Sequence, residues 1–133
     1  MIEITKYLQT VYEDLQRYVD NDVCLCKFKE LNFEAGALPD YEDINIQQLY
    51  LLRYAFAYAF EYSRMYLDVL SQMDGVNGIS VTSVGCGSMI DYWAWVHALE
   101  MKNKLDCGIR YVGIDKIDWN YKIPERQSDE VYY

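Results

Sequence analysis

At 133 residues, with 52% of them hydrophobic and only two prolines, the chain is long enough for one domain with a real core and too apolar for a disordered segment. Twelve basic against twenty-one acidic residues give a formal charge of −9, which repels nucleic-acid phosphates and argues against DNA or RNA as a direct partner, while it suits docking on a protein with a basic surface. No apolar run reaches the ~18 residues of a membrane span, and the amino-terminal MIEITKYLQ lacks the basic region and apolar core of a secretory signal, so no membrane association and a cytoplasmic location are expected.

Taken in order, Ile2 to Asp20 place Ile4, Tyr7, Leu8, Val11, Tyr12, Leu15, Tyr18 and Val19 at helical spacing, which predicts an amphipathic helix. Asp20, Asn21 and Asp22 break it. Val23 to Phe33 reads equally as a short helix or an edge strand, and Glu34 to Asp43, with Gly36 and Pro39, as a loop. A longer helix is expected from Ile44 or Ile46, capped by Asp43 or Asn45, to about Met73, where Asp74, Gly75, Asn77 and Gly78 end it. Within it Tyr50, Tyr54, Tyr58, Tyr62 and Tyr66 recur every four residues. Each step of four drifts by about 40° around the helix, so the tyrosines wind as a slanted ribbon. Their simplest role is core packing with hydroxyls at the rim. The alternative is a surface that stacks an aromatic ligand or anchors a partner.

Ile79 to Val84 and Ile109 to Ile114 are two β-rich runs, and the apolar, aromatic segment from Met89 to Lys104 between them is long enough for about four turns of helix. This is the pattern of a β-α-β unit. Gly85 and Gly87 fall where the first strand turns into the helix, with Ser88 as a candidate cap, and Asp115 falls at the tip of the second strand. In a parallel sheet those tips are neighbours at the carboxyl edge, where α/β folds hold ligands. Glycines let a ligand approach the main chain, and an acid at the next tip can accept the hydroxyl protons of a ribose. The third glycine of a dinucleotide fingerprint is replaced by Ile90, which favours a nucleoside ligand without a pyrophosphate.

The four cysteines are Cys24, Cys26, Cys86 and Cys107; Cys24-x-Cys26 lacks zinc-knuckle spacing and His97 is the only histidine, so no metal is expected. No serine-hydrolase elbow and no pair of carboxylates set for hydrolysis is found, and catalytic residues stay unassigned.

The run SVGCGSMIDYW followed by YVGIDKIDW resembles the first two cofactor motifs of Rossmann-like class I S-adenosylmethionine-dependent methyltransferases, and the tyrosine-rich helix resembles the helical cap that precedes them in some members. The resemblance implies S-adenosylmethionine as cofactor, with Gly85, Cys86 and Gly87 beneath its methionine and ribose, Asp115 on the ribose hydroxyls and Trp119 or Ile117 on the adenine. Two positions depart from the pattern: Ser83 stands where an acid is usual, and Met89 where a glycine is frequent. Eighteen residues follow Asp115, whereas each further β-α-β step takes roughly 30.

The expectation is therefore an α/β fold with a helical cap region (1–78) packed on a reduced or truncated Rossmann-like β-α-β unit (79–122), followed by a loose polar tail (123–133). Its expected function is a methyltransferase-like domain that binds S-adenosylmethionine and is not catalytic alone, which leaves enzyme status open. The alternative is a small acidic interaction or inhibitor protein, for example a phage-encoded anti-defence protein, that uses the same scaffold to bind a host protein. Two strands alone leave unpaired edges, so homo-oligomers through the sheet edges or the tyrosine helix are also expected.

Overall fold

The computed structural model describes residues 3–19, 39–73 and 75–133; the readings for Ile2, for Asp20 to Leu38 with Cys24 and Cys26, and for Asp74 lie outside them. The described chain is mixed α/β: helices α1 (Ile4–Val19), α2 (Ile44–Ser71) and α3 (Ile90–Met101), and strands β1 (Gly78–Val84), β2 (Gly108–Ile114) and β3 (Glu130–Tyr132). The strands form one parallel sheet in the order β1-β2-β3.

α1 buries Ile4, Leu8, Val11 and Leu15, the stripe that its spacing predicts, while Tyr12 and Tyr18 stay exposed. α2 starts where Asp43 accepts the Asn45 N–H at 2.8 Å. Its small residues Ala55, Ala59 and Ser63 are buried together with Ala94 and Ala98 of α3, so the two helices approach closely. α3 is apolar on almost every side and buries eight of its twelve residues between the sheet and the other helices. It ends in a paired turn: Asn103 is left-handed at φ 53°, its N–H reaches Glu100 O, and the Lys104 N–H reaches Leu99 O.

The sequence expectation differs from the structure at two points. Residues 123–133 are not a loose tail, because Glu130–Tyr132 pairs with β2 and Ile123 is buried among α1, α2 and α3. A three-residue strand carries too little local signal to be read in advance, and its pairing comes from tertiary contacts. Ser88 does not cap α3 either; Met89 is the capping residue, left-handed at φ 64°, and makes no side-chain cap hydrogen bond.

The link from β2 to β3 runs over residues 115–129 without a helix. It is pinned where the Ile123 N–H donates to Ser88 O at 2.9 Å and the Arg126 N–H to the Tyr92 hydroxyl at 2.9 Å. One face of the sheet packs on α3 through Ile79, Ile109 and Tyr111. The opposite face shows Val84, Ile114 and Tyr132 to solvent, with Val84 82% exposed. No described helix is long and apolar enough to cross a membrane.

Candidate functional site

The register that pairs Val84 with Ile114 brings the glycine turn against the start of the next loop. The Gly85 N–H donates to Ile114 O at 2.7 Å, and the Gly87 N–H to Asp115 Oδ2 at 2.7 Å. Gly85 and Gly87 have φ of 71° and 51°, a region in which a side chain is strained, so the bend that lets the strand turn under α3 depends on glycine at both. The Ile117 N–H donates to Asp115 Oδ1 at 2.9 Å. Each carboxylate oxygen thus already takes one main-chain donor and retains further acceptor capacity.

Trp119 is buried and lies over the turn: a Cβ on Gly87 would meet its ring at 3.5 Å. Its other neighbours are Tyr41 and Tyr50, with ring centroids 5.5 and 5.4 Å away. The Tyr133 hydroxyl reaches Gly87 O and Ile117 O, both at 3.2 Å, and the Tyr133 ring carries the Lys122 ammonium at 3.4 Å. Tyr133 therefore bridges the two loops that the glycine turn and Asp115 occupy, a contact with no local sequence signal.

Beside the turn lies a cleft of about 240 Å³ between α2 and the carboxyl end of β1. Tyr50, Tyr58, Tyr62 and Tyr66 form one wall, Gly85, Cys86 and Gly87 line the opposite side, and Ser83, Val84, Ser88, Ile90 and Asp91 complete it. The tyrosine ribbon is a ladder: Tyr54, Tyr58, Tyr62 and Tyr66 stack in sequence at 5.6, 6.0 and 6.3 Å, and Tyr66 stacks on Trp95 at 3.9 Å. Steps of four residues put each ring over the next, and the slow drift around α2 turns the row toward the cleft. Tyr54 belongs to the ladder but does not line the cleft.

Burial, then Asp115 and Asp91, pushes the Cys86 thiol up, so it stays protonated. Burial, followed by the Asp91 charge, raises Tyr62 and pushes Tyr66 up to about 12; Tyr50 is raised by burial and then by neighbouring tyrosines. Asp91 accepts the Tyr111 hydroxyl at 2.9 Å. Two polar groups flanking Gly87 are buried without a hydrogen-bond partner, Ser88 Oγ and Trp119 Nε1. A buried polar group left unpaired costs roughly 1–3 kcal/mol, which makes Ser88 Oγ, the one of the two whose residue lines the cleft, a candidate contact for a ligand.

A more apolar groove of about 350 Å³ lies between α1 and α3, lined by Ile4, Trp93, Val96 and His97 among others. Its histidine stacks on Trp93 at 4.8 Å and has Glu100 at 3.9 Å, an arrangement of packing rather than catalysis. The glycine turn and the orphaned Ser88 hydroxyl line the smaller cleft instead, while Trp119 lines neither, so the smaller cleft is the better candidate. Among the described residues no group of three or more His, Cys, Asp or Glu is placed to hold a metal ion. Comparison of the chain with protein-family models, with curated proteins and with solved structures finds no match.

Proposed function

We propose that the β1-α3-β2 unit is a reduced Rossmann-like unit and that the chain is a methyltransferase-like domain that binds S-adenosylmethionine in the cleft between the tyrosine ladder and the glycine turn. The observation that carries this reading is the cleft itself, in which the rings of Tyr50, Tyr58, Tyr62 and Tyr66 face the main chain of Gly85, Cys86 and Gly87; Asp115, which does not line it, braces the glycine bend by accepting the Gly87 N–H at 2.7 Å. A ligand lying there meets exposed main chain on one side and aromatic rings on the other, the surroundings that suit a nucleoside without a phosphate. Binding rather than autonomous methyl transfer is the proposed activity. Titrating S-adenosylmethionine by calorimetry tests it: saturable heat that Asp115→Ala diminishes is expected, and no heat from the folded wild-type protein sinks it.

One observation favours a second reading, an acidic interaction protein. Parallel sheets are normally covered on both faces, yet Val84, Ile114 and Tyr132 lie bare on one face here. On this reading that face binds a protein partner, or a second copy of the chain. Light scattering across a concentration series, with and without Val84→Asp, tests self-association. A mass that stays monomeric at every concentration removes that arm, and retention of a host protein that is indifferent to Val84→Asp removes the other.

A further inference from the structure

The ladder wall of the cleft presents electron-rich rings and phenol oxygens, and among the described residues the only charged side chain lining it is Asp91. No lysine or arginine among the described residues lines it. Asp91 stands in the first turn of α3, the end at which a helix ordinarily attracts anions, so its carboxylate already answers the helix dipole and repels a phosphate or carboxylate placed there. Its charge is felt by Tyr62 and Tyr66 on the facing wall, whose phenols it raises after burial has done so. Ser88 Oγ, 1% exposed as a residue, is buried beside Asp91 without a partner and lines the same cleft. Aromatic rings and a carboxylate converging with no opposing cation form the surroundings that hold an onium group, a sulfonium or a quaternary ammonium.

We propose that Asp91 and the tyrosine ladder make this cleft selective for an organic cation, so that positive charge on the ligand, more than its nucleoside, sets affinity. For S-adenosylmethionine this rests on the reading given above; selectivity for the cation itself does not. Asp91 is then the specificity-determining residue, with Tyr58 and Tyr62 as the facing wall, while Asp115 shapes the turn.

Calorimetric titration of the wild-type chain with three probes separates the two ideas: S-adenosylmethionine, S-adenosylhomocysteine, which has the same nucleoside and amino acid but a neutral sulfur, and trimethylsulfonium. The sulfonium nucleoside is expected to bind at least about tenfold tighter than its neutral counterpart, the size of a desolvated cation on aromatic rings. Trimethylsulfonium is expected to bind weakly, and Asp91→Asn, which keeps an acceptor for Tyr111, to remove both effects. Equal affinity for the two nucleosides overturns charge selectivity and leaves the nucleoside reading standing. Binding of trimethylsulfonium alone, lost in Asp91→Asn, upholds the selectivity and ends the nucleoside reading. Heat from none of the three ends both. If Asp91→Asn does not fold, the wild-type contrast still decides, and Tyr62→Leu is expected to show the same loss of preference.

Discussion

Two aspartates close the two ends of β2, and they are built differently. At the amino end Asp129 accepts the Ile109 N–H, the Tyr92 hydroxyl and two guanidinium N–H groups of Arg126, all between 2.7 and 3.0 Å, and its side chain is 0% exposed. Arg126 in turn donates to Leu105 O and Cys107 O. At the carboxyl end Asp115 meets, among the described residues, two neutral backbone donors. The saturated, paired acid is an anchor that ties the long connection and β3 to the sheet. The acid with no cation partner among the described residues braces the glycine turn and keeps further acceptor capacity.

Removing the anchor should have the largest effect. Asp129→Ala leaves the Arg126 charge half-buried without its partner and is expected to cost about 3–5 kcal/mol in a urea melt. Burial alone would raise the Asp129 carboxyl, but the hydrogen bonds from Arg126, Tyr92 and Ile109 outweigh it and hold the group below the usual carboxylate range. A lowered folded pKa gives stability that is complete above the ordinary aspartate range and is lost as the pH falls through the folded value. Wild-type stability should therefore decline in acid with a slope that Asp129→Ala flattens. An unchanged slope would show that Asp129 is not the acid-sensitive group.

A smaller effect is expected at the crevice. A Cβ on Gly113 would stand 2.8 Å from Cys86 Sγ and 3.1 Å from the Tyr111 ring. Gly113→Ala should cost about 1–3 kcal/mol as an overpacked site, and Cys86→Ala, which removes the sulfur, should return part of it. Additive losses in that double-mutant cycle would mean that the two positions do not meet. Asp115→Asn should cost about 1–2 kcal/mol, because an amide accepts at one atom only and leaves Gly87 or Ile117 unpaired; a loss as large as that of Asp129→Ala would erase the distinction between the two acids. Smallest of all, Val84→Thr on the bare face should stay within about 0.5 kcal/mol in the same melt.

The contrast between the two ends also marks what the sequence made legible. The stripe Ile4, Leu8, Val11 and Leu15, the Asp43 cap and the β1-α3-β2 order follow from local periodicity and capping, and the meeting of Gly87 with Asp115 follows from the rule for parallel strand tips. The anchor was not legible. Arg126, Asp129 and Tyr92 are polar or isolated in the sequence, and they meet only because β3 pairs with β2, which three residues in a polar stretch do not announce. Tyr133 over the turn and the left-handed Met89 were hidden for the same reason: both are settled by packing between distant segments. The ladder lay between these cases. Its four-residue repeat predicted a ribbon, but only the packed helices decide which rings face the cleft and which of them, Tyr54, does not.

The central claim, a nucleoside-sulfonium site between ladder and turn, is tested most directly by amide and aromatic NMR of the labelled chain during addition of S-adenosylmethionine. Saturable shifts are expected at the Gly85, Gly87 and Ser88 amides and at the Tyr58 and Tyr62 rings, with Ile109 and Asp129 unmoved. Shifts confined to the groove around Trp93 and His97, or no shifts at saturating ligand, would contradict it.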